Sequence, residues 1–213
     1  MVIRNRVQAG LWWTMAVATL MATAAWVRAG ESGLLCFDHA GLALADAWRR
    51  PWLDEAFLNL TWLGSLFVLS PLALIAAVLL RRRRHGGEAV FLIAALAGAA
   101  FMAELAKQLA LRPRPDLFPA LTAVASPLSF PSAHAMQVTA AAAAWLAVVW
   151  HVAPRWKPWA IPATLAIVLV VGLSRLYLQV HYPSDVIAGT IAGACWVAGL
   201  RASLLVGGAT RRG

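Results

Sequence analysis

The sequence predicts an all-α fold, a polytopic membrane helix bundle with six transmembrane helices in a single domain over residues 1–213. Three observations carry this. The chain is 62% hydrophobic and only 13% charged, with a mean hydropathy of +0.72. A water-soluble domain of this size would need a more polar surface. Apolar runs near the ~20 residues required to cross a bilayer recur along the chain. Backbone inside hydrocarbon must satisfy its own hydrogen bonds, so long apolar runs become helices.

The expected spans are 11–28, 57–80, 89–111, 133–151, 160–177 and 186–206. The first, "LWWTMAVATLMATAAWV", follows Arg4 and Arg6, a pattern shared with signal peptides. Its apolar core is long for one, and it is read as an uncleaved anchor. Between the first two spans, residues 30–56 form the longest connection and are expected to hold one short helix at the interface. Trp48 and Trp52 suit a headgroup boundary. In the sixth span, Gly189 and Gly193 lie four apart and are read as a close helix-packing seam.

Charge sets the orientation. Arg4 and Arg6, Arg81 to Arg84, Arg155 with Lys157, and Arg211 with Arg212 all fall on one side of a six-span chain. The positive-inside rule makes that side cytoplasmic. The formal charge of +9 therefore reads as topology and not as a nucleic-acid surface, because the basic residues sit in short turns between apolar runs. Of the acidic residues, Glu31, Asp38, Asp46, Asp54 and Glu55 lie in the first outside segment. Two cysteines, Cys36 and Cys195, make no disulfide framework, and Cys195 is read as a small core residue.

The remaining polar groups converge on the outer face. Lys107 lies near the outer end of the third span in "AELAKQLALRPRPD", and Pro113 and Pro115 end that helix. Arg114 follows on the loop, with Arg112 as a second candidate in "RPRP". "FPSAHA" places Ser132 and His134 at a helix start, where free backbone N–H groups suit an anion. "SRLYLQVHYPSD" adds Arg175, His181 and Asp185. Each residue alone has an ordinary reading as an anchor, cap or solvated side chain. Three cations, a hydroxyl, two histidines and a carboxylate meeting at one face from separate segments form a functional candidate. One turn before Lys107, Glu104 is read as an internal ion-pair or hydrogen-bond partner and not as a catalytic group.

The patterns K-x6-RP, PSxH and SR-x5-H-x3-D resemble the three motifs of the type-2 phosphatidic acid phosphatase family, membrane relatives of bacterial acid phosphatases and vanadium haloperoxidases. They fall on Lys107…Arg114-Pro115, Pro131-Ser132-Ala133-His134 and Ser174-Arg175…His181…Asp185. The resemblance implies a membrane-embedded phosphatase domain with its site within 107–185. It implies His181 as nucleophile, Asp185 as its partner, and His134 as acid and base. Lys107, Arg114, Ser132, Ala133 and Arg175 would hold phosphate. Alanine stands at 133 where the family usually has glycine. No cofactor or metal is implied. The expected substrate is a lipid phosphate or diphosphate at the periplasmic leaflet of a bacterial inner membrane; undecaprenyl diphosphate, phosphatidylglycerophosphate and phosphatidic acid all fit. Phosphoryl transfer to another lipid is an alternative on the same site, and an anion transporter or lipid-phosphate binder is the alternative from another class.

Overall fold

The structure, a computed structural model, describes the backbone of residues 2–30 and 32–210 and the side chains of 5–30 and 34–204. The Arg4 side chain, Glu31, Arg211 and Arg212 lie outside the described residues. In chain order come α1 (Val2–Ala29), α2 (Ser32–Ala47), α3 (Pro51–Leu60), α4 (Leu66–Arg82), α5 (Gly86–Ala110), α6 (Ala133–Val152), α7 (Lys157–Tyr177) and α8 (Pro183–Thr210). Short 3-10 turns at Thr61–Gly64 and Pro154–Trp156 precede α4 and α7. Among the described residues there is no strand, only an isolated antiparallel bridge between Pro113 and Leu128.

Five helices are long and apolar enough to cross a membrane, and α3 with α4 make a sixth span when counted as one. That second span is not the continuous helix expected over 57–80. It bends by 44° between Gly64 and Leu66. The cause is local. Ser65 is extended (ψ 144°) and caps α4, its Oγ accepting from the Phe67 N–H at 3.0 Å. The expected interfacial connection at 30–56 also holds more helix than predicted. It contains all of α2 and the start of α3.

Small side chains set the helix spacing. Ala95, Ala99, Ala103, Ala106 and Ala110 recur along one face of α5 and are buried against the core formed with Met136, Ala140 and Ala144 of α6 and Ala188 and Ala192 of α8. In lipid there is no hydrophobic drive between helices, so close packing of small residues carries the association. The Gly189 and Gly193 seam is real. A Cβ at Gly189 would stand 2.8 Å from the Ser132 carbonyl oxygen, and one at Gly193 2.7 Å from that of Met136. Cys195 is buried, as expected, and neither cysteine is bonded. α1 lies along α8, with Trp13 stacked on Trp196 at 6.1 Å and the Trp196 indole donating to the Ala95 carbonyl at 3.1 Å.

α2 docks through a stripe of three buried residues spaced four apart, Leu34, Asp38 and Leu42. The turns carrying Arg81–Arg84 and Arg155–Lys157 lie at the helix ends opposite those that carry Lys107, Ser132, Arg175 and Asp185. At that basic end Arg201 of α8 bridges Glu88 of α5 at 2.9 Å.

Candidate active site

Four helix ends build the site: the C-termini of α5 and α7 and the N-termini of α6 and α8. α5 stops because Leu111 turns left-handed (φ 52°), its N–H bonding to the Lys107 carbonyl at 3.0 Å just ahead of Pro113. The loop after it folds back on itself. Ser129 N–H donates to the Arg112 carbonyl at 2.8 Å and Ser129 Oγ to that of Pro113 at 2.9 Å. This return covers Lys107, which is 4% exposed and donates to the carbonyls of Leu128 at 3.0 Å and Ser129 at 3.4 Å. Lys107 therefore points inward and does not reach for headgroups.

Arg114 is held by carbonyls. Its Nε donates to Ser126 at 2.7 Å and its Nη1 to Val180 at 2.6 Å. Arg175, 5% exposed, donates from Nη1 to Thr61 Oγ1 at 2.5 Å, and its buried Nε has no hydrogen-bond partner among the described residues. No carboxylate pairs with Lys107, Arg114 or Arg175 among the described residues. Arg112 differs. It bonds Asp185 Oδ1 and Asp38 Oδ2, each at 2.6 Å, and Ser184 Oγ at 2.8 Å, with Tyr182 stacked 3.8 Å beneath the guanidinium. Burial opposes its charge, but the two carboxylates outweigh that and raise its pKa. Within "RPRP", therefore, Arg112 is paired with two carboxylates, whereas Arg114 has no carboxylate partner among the described residues.

His181 is 2% exposed and Asp185 fully buried. Their i,i+4 spacing sets Nδ1 3.4 Å from Asp185 Oδ2, although this contact lacks hydrogen-bond alignment. The other ring nitrogen, Nε2, lies 3.3 Å from Arg114 Nη1. A guanidinium only donates, so Nε2 acts as the acceptor there and the ring proton sits on Nδ1, facing Asp185. Burial first, then Arg175, Arg114 and Lys107, hold the imidazole well below its usual pKa, so it is neutral near pH 7. His134 stands half-buried in the first turn of α6, in electrostatic reach of Arg175, His181, Arg114 and Lys107. Both imidazoles thus face one group of cations.

Ser132 is the N-cap of α6, its Oγ accepting from the Ala135 N–H at 3.4 Å. Its own N–H is committed to the Asp185 carbonyl at 3.1 Å and ties α6 to α8. The first-turn N–H groups of Ala133 and His134 have no partner within the helix. The methyl of Ala133 is half-buried. Glu104 accepts from Gln108 at 2.9 Å on an exposed face, so its expected hydrogen-bond role holds with a neighbour on its own helix.

Sequence reading missed Asp38 and Thr61. Asp38 was one of several acids in an outside segment; only its place in the Leu34–Leu42 stripe, polar where its neighbours are apolar, marks it. Thr61 required the break in the second span, for which the Gly64-Ser65 pair was the signal. The break also brings Gly64 against His134, since a Cβ there would sit 3.2 Å from both the Cβ and the carbonyl oxygen of that histidine.

Known proteins resemble this chain in sequence and in fold. The chain is 38% identical over 130 residues to decaprenylphosphoryl-5-phosphoribose phosphatase of Mycobacterium tuberculosis, covering 58% of this chain and 64% of that protein. The match therefore spans slightly less than two thirds of that relative. It is 29% identical to phosphatidylglycerophosphatase B of Bacillus subtilis over 73% of this chain and 77% of that one. The crystal structure of a transmembrane PAP2-type phosphatidylglycerolphosphate phosphatase from Bacillus subtilis superposes with a TM-score of 0.77 at 25% identity, covering 93% of this chain and 97% of that one. Aquifex aeolicus LpxE superposes with a TM-score of 0.60 at 25% identity, covering 75% and 92%. The PAP2 superfamily model matches residues 88–205, which contain every motif residue above. This multi-pass membrane protein belongs to the PAP2 superfamily.

Proposed function

We propose that the protein is a membrane lipid phosphatase that hydrolyses a lipid phosphate or diphosphate through a phosphohistidine intermediate. The observation that carries this is a trio of cations, Lys107 and Arg175 buried and Arg114 half-buried, with no carboxylate partner among the described residues, gathered around an imidazole backed by an aspartate. Such a trio is costly unless it meets an anion.

Lys107, Arg114 and Arg175, with the first-turn N–H groups of α6 and the Ser132 hydroxyl, hold the phosphoryl oxygens and offset their growing charge. His181 Nε2 attacks phosphorus. A P–N bond forms as the P–O bond to the lipid breaks, and His134 gives its proton to the departing oxygen. The phosphorylated ring keeps its Nδ1 proton and carries positive charge, which Asp185 balances. His134 then takes a proton from water. The water oxygen attacks phosphorus, the P–N bond breaks, and inorganic phosphate leaves with His181 neutral again.

A lipid substrate fits the surroundings. Beside the site, between α2, α3, α7 and α8, lies an apolar groove of about 1020 Å³ lined by Phe37, Leu44, Trp52, Leu176 and Ile187 among others. Its size suits hydrocarbon chains, and Lys107, Arg114 and Arg175 lie outside its lining. The relatives are named for polyprenyl and glycerophospholipid phosphates. The basic turns at the opposite helix ends support a cytoplasmic placement for those turns and a periplasmic one for the site, in a bacterial inner membrane.

The test uses purified protein in detergent with EDTA and a panel of phosphatidic acid, phosphatidylglycerophosphate and undecaprenyl diphosphate. At least one should release phosphate and leave an acid-labile phosphoprotein on rapid quenching. His181→Ala should abolish both while the protein stays monodisperse. Undiminished release by that variant refutes the nucleophile assignment.

A further inference from the structure

We infer that Asp38 and Arg112 are positioning residues for this reaction, forming with Ser184 a buried clamp that aims Asp185 at His181 and leaves it negatively charged. The inference rests on the phosphatase reading of the site and adds two residues outside its motif positions, one of them in α2.

The clamp joins segments far apart in the chain. Asp38 Oδ1 accepts from the Ser184 N–H at 2.9 Å and Oδ2 from Ser184 Oγ at 2.7 Å; Oδ2 also accepts from Arg112 Nη2 at 2.6 Å. Arg112 Nη1 passes the link on to Asp185 Oδ1 at 2.6 Å. With Oδ1 anchored, Asp185 presents Oδ2 to the Tyr182 N–H at 3.0 Å and to His181 Nδ1 at 3.4 Å. Asp38 and Asp185 are 0% exposed and Arg112 5%, so these bonds act in a medium where charge is poorly screened. α2 is seated for the task. Gly41 packs so closely on Pro183 that a Cβ would meet its ring, and the Leu42 carbonyl accepts from Gln179 Nε2 at 3.0 Å.

The charge count explains why two carboxylates share one arginine. Arg112 with Asp185 alone would be a neutral pair, a weak acceptor for an imidazole proton. Adding Asp38 leaves one net negative charge beside His181. That charge matters most when the ring is phosphorylated and cationic, so the clamp acts on the chemical step and not on substrate capture. The cations that would hold phosphate take no part in it.

The experiment compares intact wild-type, Asp38→Asn and Ser184→Ala proteins in detergent, by kcat and KM on dioctanoyl phosphatidic acid and by the ¹⁵N spectrum of labelled histidine, with the His181 signal assigned from His181→Gln. Wild type should show His181 protonated at Nδ1. Asp38→Asn should lower kcat about 10–100-fold, by analogy with the loss on removing the outer partners of metal-ligating histidines, with KM within about twofold, and should move the His181 signal toward a tautomer mixture. Ser184→Ala, which keeps every charge, should lower kcat less; it replaces Asp38→Asn as the test if that variant is not monodisperse. A folded variant with wild-type kcat, a loss confined to KM, or an unchanged His181 spectrum overturns the clamp. If wild type releases no phosphate from any lipid, the phosphatase reading fails, and the histidine spectra still decide whether Asp38 sets the tautomer.

Discussion

The two glycines of α8 offer a paired probe of how tightly the site is registered. Gly189→Ala places a methyl 2.8 Å from the Ser132 carbonyl oxygen, and Gly193→Ala one 2.7 Å from the Met136 carbonyl oxygen, one turn deeper. Ordinary contact begins near 3.4 Å, so α6 and α8 must separate by about 0.6–0.7 Å in either variant. Backbone carbonyls within helices cannot swing aside as a flexible side chain would, so both substitutions should cost about 1–3 kcal/mol of overpacking. Their consequences for activity differ. Ser132 caps α6 directly before His134 and bonds Asp185, whereas Met136 only packs the core. A misplacement of about 1 Å at reacting groups costs about 10²-fold in rate, which scales to about 10-fold for Gly189→Ala. Thermal unfolding in detergent and phosphate release on one lipid phosphate measure the two effects. Similar loss of stability in both variants with kcat reduced mainly in Gly189→Ala is the expected result. Equal kcat losses, or none in Gly189→Ala, would refute the idea that the α6–α8 seam sets the register of the site.

Two further outcomes follow from the same geometry. Arg114 bridges two carbonyls with a planar fork while facing His181, and a lysine reproduces neither the fork nor a two-point grip on phosphate. Arg114→Lys should therefore lower kcat/KM about 10–100-fold, the worth of one or two charge-assisted bonds, and a change below twofold would remove Arg114 from the phosphate grip. His181 is a base whose pKa is lowered by burial and then by three cations. In the unfolded chain it would take up a proton near pH 6.5, while in the fold it stays neutral, so its contribution to stability is present above pH 6.5 and declines as pH falls below it. A ¹⁵N-histidine titration should keep the His181 ring in its neutral pattern at pH 6; a midpoint at or above 6.5 contradicts the burial seen here.

The bundle and the motif residues were legible because their causes are local. A run of apolar residues in hydrocarbon has no alternative to the helix, and the closely spaced prolines 113 and 115 mark where α5 ends. Basic turns mark one membrane side regardless of how the helices pack. These rules place Lys107, Arg114, Ser132, His134, Arg175, His181 and Asp185 at one end of the molecule without coordinates.

What the tertiary structure decided is partnership. From the sequence, motif spacing favours Arg114 and leaves Arg112 as a second candidate in "RPRP", and Asp38 is one acid among several in an outside segment. Folding gives Arg112 two carboxylates, one of them from α2, and among the described residues gives Arg114 only carbonyls and an imidazole. The break at Gly64-Ser65, invisible to a hydropathy window, brings Thr61 to Arg175. In each case the deciding quantity is which buried charge meets which acceptor. That depends on segments more than 60 residues apart sharing one low-dielectric space, and no local pattern in the chain encodes it.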